Sequence, residues 1–247
     1  MNTQIIQQPF LYVNNLPITW LSNTTFSIGA GQCRDSLNAT DFTLSSLLTV
    51  NVGVNGVNAL DVGTLAASTW YYVYIIGQSL FPLTDLPAAL VSLSATAPTL
   101  PSGYDTFRLI GFMRTDSSSH LLKAYTVGTG TSRTNYWDAG IQVLNAGTAT
   151  TFTAVDCSAA VPPVDNTPVV FDTTFIPATA GDGVNFRPTG SAATQVDGMT
   201  GVVAAKAQEI QLKMLTKLAS SVAKIDYKNS AAAGSTTLYV RAFDYFI

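Results

Sequence analysis

FRLIGFMRTDSSSHLLKAYT, residues 107–126, decides the fold class of this chain. It reads as two strands joined at Thr115–His120, a turn in which Asp and Ser side chains can hydrogen-bond the backbone. It is the best single hairpin in the sequence, and the pattern around it is the same: short apolar–polar alternations broken by Gly, Pro, Asn, Asp and Ser. On its N-terminal side, strands are expected at Thr25–Ile28, Phe42–Val54, Thr69–Ile76 and Ala89–Ser94, followed by Phe107–Met113 within the segment itself. On its C-terminal side they are expected at Gly140–Leu144, Thr150–Asp156, Val169–Phe175, Glu209–Thr216, Val222–Lys228 and Thr236–Tyr245.

This spacing predicts an all-β chain of two β-sandwich, jelly-roll-like units with a short N-terminal arm. The expected divisions are residues 1–20 for the arm, 21–130 for the first unit and 131–247 for the second. The boundary falls within 126–136, where VGTGTSRTN is small and polar enough for a linker. Residues 207–225 are ambiguous, because Ala207, Ile210, Met214, Leu218, Val222 and Ile225 also fit a helical stripe. Strict alternation of Ile210, Leu212 and Met214 with Gln211, Lys213 and Leu215 favours strand, turn, strand, with the turn at Ala219-Ser220-Ser221.

Composition agrees with a β class and narrows function. Charged residues are 11% of the 247, against a usual quarter, and Glu209 is the only glutamate. Thr, Val, Tyr and Phe, which strands favour, are plentiful. With 47% hydrophobic residues and a net charge of −3, the chain has ample apolar surface to offset the entropy of ordering. The start, MNTQIIQQPF, lacks the features of a secretory signal, and the longest apolar runs, such as Trp70–Ile76, fall far below the roughly 18 residues that cross a bilayer. A soluble protein that does not insert in membranes is expected. Five lysines, Lys206, Lys213, Lys217, Lys224 and Lys228, sit close together in sequence. A basic face of this kind can meet nucleic acid, membrane or an acidic neighbour, but solvated lysines on outward strand faces, which discourage aggregation, are the favoured reading, and no nucleic-acid partner is expected.

The residues that perform chemistry are scarce. His120 is the only histidine, and its place in the DSSSH turn favours a turn role over catalysis. Asp61, Asp105, Asp116, Asp165, Asp182 and Asp197 lie beside Gly, Ser, Thr or Asn, the company of turn formers and caps. GAGQCR, from Gly29 to Arg34, resembles the start of a phosphate loop but lacks its third glycine and following helix. Cys33 and Cys157 fit neither a zinc knuckle nor a redox pair, and read as reduced, partly buried thiols, with a long-range disulfide between them left open. No catalytic residue, cofactor or metal site is assigned, and no enzyme is expected. The remaining candidates are aromatic: Trp70, Tyr72, Tyr74 and Trp137 could stack on a sugar ring, though filling a core or a subunit interface is favoured. Both faces of the strand at Trp70–Ile76 are apolar, so it should be covered on both.

Three stretches, TFSIGAGQCRDSLNATDFTL (25–44), ALDVGTLAASTWYYVYII (59–76) and SATAPTLPSGYDTFRLIGFMRTDSSSHLL (94–122), resemble in content and order a module of tailed-bacteriophage virion proteins of the fibre, spike and head-decoration type. The closing MLTKLASSVAKIDYKNSAAAGSTTLYVRAFDYFI (214–247) is similar to the second, C-terminal β module of the same proteins. The block LPSGYDTFRLIGFMRTD, residues 100–116, is the most specific part. The resemblance implies a structural component of the virion, made in the host cytoplasm and assembled as a homotrimer. It implies no catalytic residues. Its partners would be copies of itself and capsid or tail subunits, docked through an arm that includes Ile5, Ile6, Phe10, Leu11 and Tyr12. The alternative is a tail-fibre tip that binds a host surface glycan. A depolymerase, the third possibility considered, would need two carboxylates facing across a groove.

Overall fold

In a computed structural model describing residues 12–79, 86–128 and 130–247, every helix-or-strand element is a strand, and the chain is all-β. Its contacts divide it into two units, one running to Arg133 and taking in Phe246–Ile247, the other Thr134–Tyr245.

The first unit contains β1 (Val13–Asn15), β2 (Ile18–Trp20), β3 (Thr25–Ile28), β4 (Gly31–Arg34), β5 (Asp41–Leu44), β6 (Leu48–Asn55), β7 (Ala59–Leu60), β8 (Trp70–Gly77), β9 (Ala88–Ser92), β10 (Thr106–Arg114) and β11 (Ala124–Val127). Strands β1-β4-β5 form a small sheet, and β10-β8-β9-β7-β6-β3-β2-β11 a large one that is antiparallel except where β7 runs parallel to β6 and β9. Val13, Cys33, Phe42 and Leu44 from the small sheet share one core with Phe26, Val50, Tyr71, Val73 and Ile75 from the large, which makes a sandwich. The opposite face of β8 is covered too. Tyr74 and Ile76 cluster there with Ala88 and Leu90, and Leu100 and Tyr104 pack over them. A side chain fully buried in this way contributes roughly 1.5–3 kcal/mol.

Three expectations are corrected in this unit. Segment 107–126 is not a simple hairpin: after the Thr115–Leu121 bridge and a bond from Leu122 N to Arg114 O (2.8 Å), Tyr125 on β11 pairs with Thr19 on β2. The chain is drawn away because Leu121 is bonded elsewhere, its N–H to Asn23 O (2.8 Å) and its carbonyl to Trp20 Nε1 (3.0 Å). Phe42–Val54 is two strands in two sheets, with Phe42 and Leu44 pointing into the sandwich from one side and Val50 and Val52 from the other. Residues 13–20, read as arm, are β1 and β2, and Val13, Leu16 and Ile18 are core residues. Of the proposed docking residues, Ile5, Ile6, Phe10 and Leu11 lie outside the described residues. Tyr12 is described, and its carbonyl accepts the Arg34 N–H at 3.0 Å.

The second unit is built from β12 (Ser132–Gly147, its first two residues counted with the first unit), β13 (Thr153–Asp156), β14 (Pro168–Ile176), β15 (Gly183–Pro188), β16 (Asp197–Thr200), β17 (Gln208–Leu215), β18 (Lys217–Ala219), β19 (Val222–Asn229) and β20 (Ser235–Phe246). One sheet has the order β12-β20-β14-β17 and the other β13-β19-β15-β16, with β18 paired to β19. Period-two alternation buries Val169, Phe171, Phe175, Leu238 and Val240 on the first sheet and Val184, Phe186 and Ile225 on the second. Strand, turn, strand is the outcome for residues 207–225. Ala219 pairs with Val222, and the two residues between them, Ser220 and Ser221, have φ of 55° and 62°, a two-residue turn in the left-handed region. Within the stretch read as a linker, β11 ends at Val127 and β12 starts at Ser132, and the division between the units falls after Arg133.

Candidate functional site

The alternation that buries Phe171 and Val240 sends their neighbours outward. On the outer face of β14 stand Asp172 and Thr174, on β20 Tyr239 and Arg241, and on β17 Glu209 and Gln211. Antiparallel register places Tyr239 opposite Asp172 and Asp172 opposite Gln211, while Thr174 faces Glu209. Side chains continue the row: Gln142 Nε2 of β12 donates to Tyr239 Oη (3.3 Å), and Gln211 Nε2 donates to Asp172 Oδ1 (2.9 Å). A β-bulge between Val170 and Phe171 leaves Arg241 without an opposite residue, and its Nε donates to Asp172 Oδ2 at 2.8 Å. Asp172, Thr174, Glu209, Gln211, Tyr239 and Arg241, with Gly140, line an open groove of about 560 Å³, within the usual size range of ligand sites. A smaller depression of about 350 Å³ in the first unit, beside Thr24, Gly53 and Thr64, has no charged lining residue.

The aromatic candidates from the sequence lie elsewhere. Trp70, Tyr72 and Tyr74 share one face of β8. Trp70 is half-buried under the Arg114 guanidinium, 5.8 Å from the ring centre, and Tyr72 meets Phe112 edge-on at 5.6 Å. Tyr74 is fully buried, its hydroxyl donates to Ser94 O (2.6 Å), and burial raises its pKa. Trp137 belongs to the other unit, is 3% exposed and donates from Nε1 to Ala160 O (3.1 Å). Tyr74 and Trp137 therefore present no ring face to a ligand. Tyr239, Asp172, Gln211 and Arg241 were not singled out in the sequence. The alternation in LYVRAFDY, residues 238–245, marks Tyr239 and Arg241 as outward, but nothing local says that β14 lies beside β20.

The aspartates singled out in the sequence are engaged in holding the fold. Asp116 Oδ1 accepts the N–H groups of Ser118 (2.8 Å) and His120 (2.9 Å), and the His120 N–H bond is the chief cause holding this carboxyl below its ordinary pKa. His120 Nδ1 is 3.7 Å from Asp116 Oδ2 in an exposed turn. Asp165 accepts from Leu218 N, Asp182 from Thr179 N, Asp105 from Ser79 N, Asp61 from Val62 N and Asp197 from Gly198 N, each between 2.7 and 2.9 Å. Cys33 and Cys157 are free thiols, wholly buried rather than partly, and burial pushes each pKa up to about 12. Among the described residues no group of three His, Cys, Asp or Glu is placed to hold a metal.

Two further motifs take structural roles. Gly31 of GAGQCR lies in β4, paired with β1 and β5, and a Cβ there would collide with the carbonyl of Asn14 and stand 2.6 Å from Leu16 N, so the glycine serves a close backbone approach. Of the lysine cluster, Lys213 pairs with Asp244, Lys217 with Asp165, and Lys228 lies 5.1 Å from the Phe152 ring centre.

No protein-family model matches the chain, and neither does any curated protein. Among solved structures it is similar to a carbohydrate-binding module from Cellvibrio mixtus lichenase 5A in complex with cellotriose, at 15% identity over 51% of this chain and 87% of that one, with a TM-score of 0.23. It is also similar to the structure of infectious bursal disease virus, Gx strain, at 13% identity over 94% of this chain and 70% of that one, with a TM-score of 0.24. Likeness this distant carries no argument about what the chain does.

Proposed function

We propose that this chain is a non-enzymatic structural component of a bacteriophage particle, a compact trimeric spike, fibre or capsid decoration protein attached through residues 1–11. The observation that carries the non-enzymatic part is the use of its carboxylates: Asp61, Asp105, Asp116, Asp165, Asp182 and Asp197 all accept bonds from backbone N–H groups, and Asp172, Asp226 and Asp244 are held in ion pairs. Groups bound in this way brace loops and are poor proton carriers. The virion setting rests on the resemblance of residues 25–44, 59–76 and 94–122. Leu37, Leu47 and Val202, at 81%, 64% and 75% exposure, supply apolar surface for contact between subunits, and a stable interface needs above roughly 1,000 Å².

The test is incorporation. Deletion must stop at residue 11, because β1 supplies the core residue Val13. The shortened chain should sediment as a folded trimer and be missing from purified particles, while the whole chain cross-links to a capsid or tail subunit. A whole chain absent from particles, or a monomer in solution, overturns the proposal.

A second reading, a tip that binds host surface glycan, is favoured by the groove on the outer face of β20-β14-β17.

A further inference from the structure

We infer that the outer face of the β12-β20-β14-β17 sheet is a binding site for a neutral oligosaccharide, with the Tyr239 ring as its stacking surface and Asp172, Gln211 and Arg241 as its hydroxyl-binding groups. The inference rests on the glycan-binding reading and gives it a place and a ligand class.

Tyr239 occupies the middle of the row that runs from Gln142 to Gln211. Its neighbour on β12 is Gly140, where an added Cβ would stand 3.1 Å from Tyr239 Cβ and 3.8 Å from Cδ1. Position 140 therefore places no side chain against the Tyr239 ring. Aromatic rings in such positions offer a flat apolar face beside polar groups, which is what the C–H face and hydroxyl edge of a sugar ring require.

The polar groups are fixed before any ligand arrives. Asp172 accepts one bond from Gln211 and one from Arg241, which settles the orientation of all three. Each keeps hydrogen-bonding capacity: the amide oxygen and second N–H of Gln211, further N–H groups of Arg241, and remaining lone pairs on Asp172. Groups held in this way lose little freedom on binding.

Charge selects the class. Arg241 is neutralised by Asp172, and Glu209, which has no ion pair among the described residues, leaves the groove with an excess negative charge. Sialyl, uronyl, sulfate and phosphate groups are repelled, whereas sugar hydroxyls can donate to the Glu209 carboxylate.

The experiment uses the whole chain on an array carrying neutral gluco-, manno- and galacto-oligosaccharides together with sialylated and sulfated glycans, followed by calorimetric titration of whatever binds. Neutral glycans should bind, and both Tyr239→Ala and Thr174→Trp should weaken binding at least tenfold. Thr174→Trp adds bulk at an outward groove position and removes no core contact, so it keeps the test sound if Tyr239→Ala fails to fold. Neutral glycan binding that survives Thr174→Trp overturns the site while leaving the glycan-binding reading intact. No glycan bound by the whole chain overturns both. Binding confined to acidic glycans overturns the ligand class, and a Thr174→Trp variant whose only change is loss of the trimer makes the groove a contact between copies and overturns the inference.

Discussion

Arg241 on β20 and Asp172 on β14 hold each other at 2.8 Å, although the two residues are not paired in the ladder. A bulge makes this possible by leaving Arg241 unopposed between Val240 and Ala242, so that its guanidinium reaches back along the sheet to the carboxylate facing Tyr239. Bulges re-aim side chains in this manner and recur beside binding sites. The pair belongs to the groove and to no core.

Removing it should cost little stability. The two side chains are 41% and 32% exposed, and ion pairs in that setting contribute less than about 1 kcal/mol. Arg241→Ala is expected to lower the unfolding free energy by no more than that, read from the urea midpoint with an unchanged slope. A loss of several kcal/mol would give the pair a structural role and weaken its assignment to ligand binding.

The turn between β18 and β19 offers a gain. Ser220 and Ser221 both adopt positive φ, a conformation that costs an ordinary L-residue about 1–2 kcal/mol and that Asn-Gly accepts readily. Replacing the pair with Ser220→Asn and Ser221→Gly should raise stability by about 1 kcal/mol. An unchanged or lowered urea midpoint would show that the serine hydroxyls offset the strain.

These elements differ in how far the sequence announces them. β3 at Thr25–Ile28 and β14 at Pro168–Ile176 follow from local alternation, because the same period that forms a strand also decides which side chains turn inward. The Ser220–Ser221 turn was legible for the same reason. What local pattern does not carry is pairing: Tyr125 bonds to β2 and not to β10 because Asn23 and Trp20 capture Leu121 from far away in sequence. The groove was hidden by the same gap. Tyr239, Asp172 and Gln211 are ordinary outward residues until three strands are set side by side, whereas Trp70, Tyr72, Tyr74 and Trp137 drew notice by being large, the property that also suits an aromatic to a core.

Acid should loosen bonds between carboxylates and backbone before the sandwiches. The Leu218 N–H donates to Asp165 Oδ1 at 2.9 Å, and this bond is the main cause holding the carboxyl below the ordinary aspartate value of 3.8, with Lys217 adding to it. A pKa lowered by folding contributes stability that is present above 3.8 and lost as the pH falls through the folded value. Asp116 and Asp182 are lowered in the same direction, so stability from these groups should be level between about pH 5 and 8 and fall only in the acid range. The Leu218 amide resonance should titrate with a midpoint under 3.8 and stop titrating in Asp165→Asn; a midpoint at or above 3.8 contradicts the bond.

Trp137 separates a core role from a ligand role. It is 3% exposed, its indole N–H bonds Ala160 O at 3.1 Å, and its ring lies 6.1 Å from that of Phe243. Truncation of such a residue leaves a cavity, and Trp137→Ala should cost about 3–5 kcal/mol. Trp137→Phe keeps most of the volume but leaves the Ala160 carbonyl without its donor, a loss of about 1–3 kcal/mol. Because neither effect touches the outward face that carries Tyr239, the folded Trp137→Phe variant should bind neutral glycan within twofold of the original chain. A tenfold loss of affinity with an unshifted unfolding curve would move the sugar site from the β20-β14-β17 face to Trp137, since burial alone then fails to explain what the indole does.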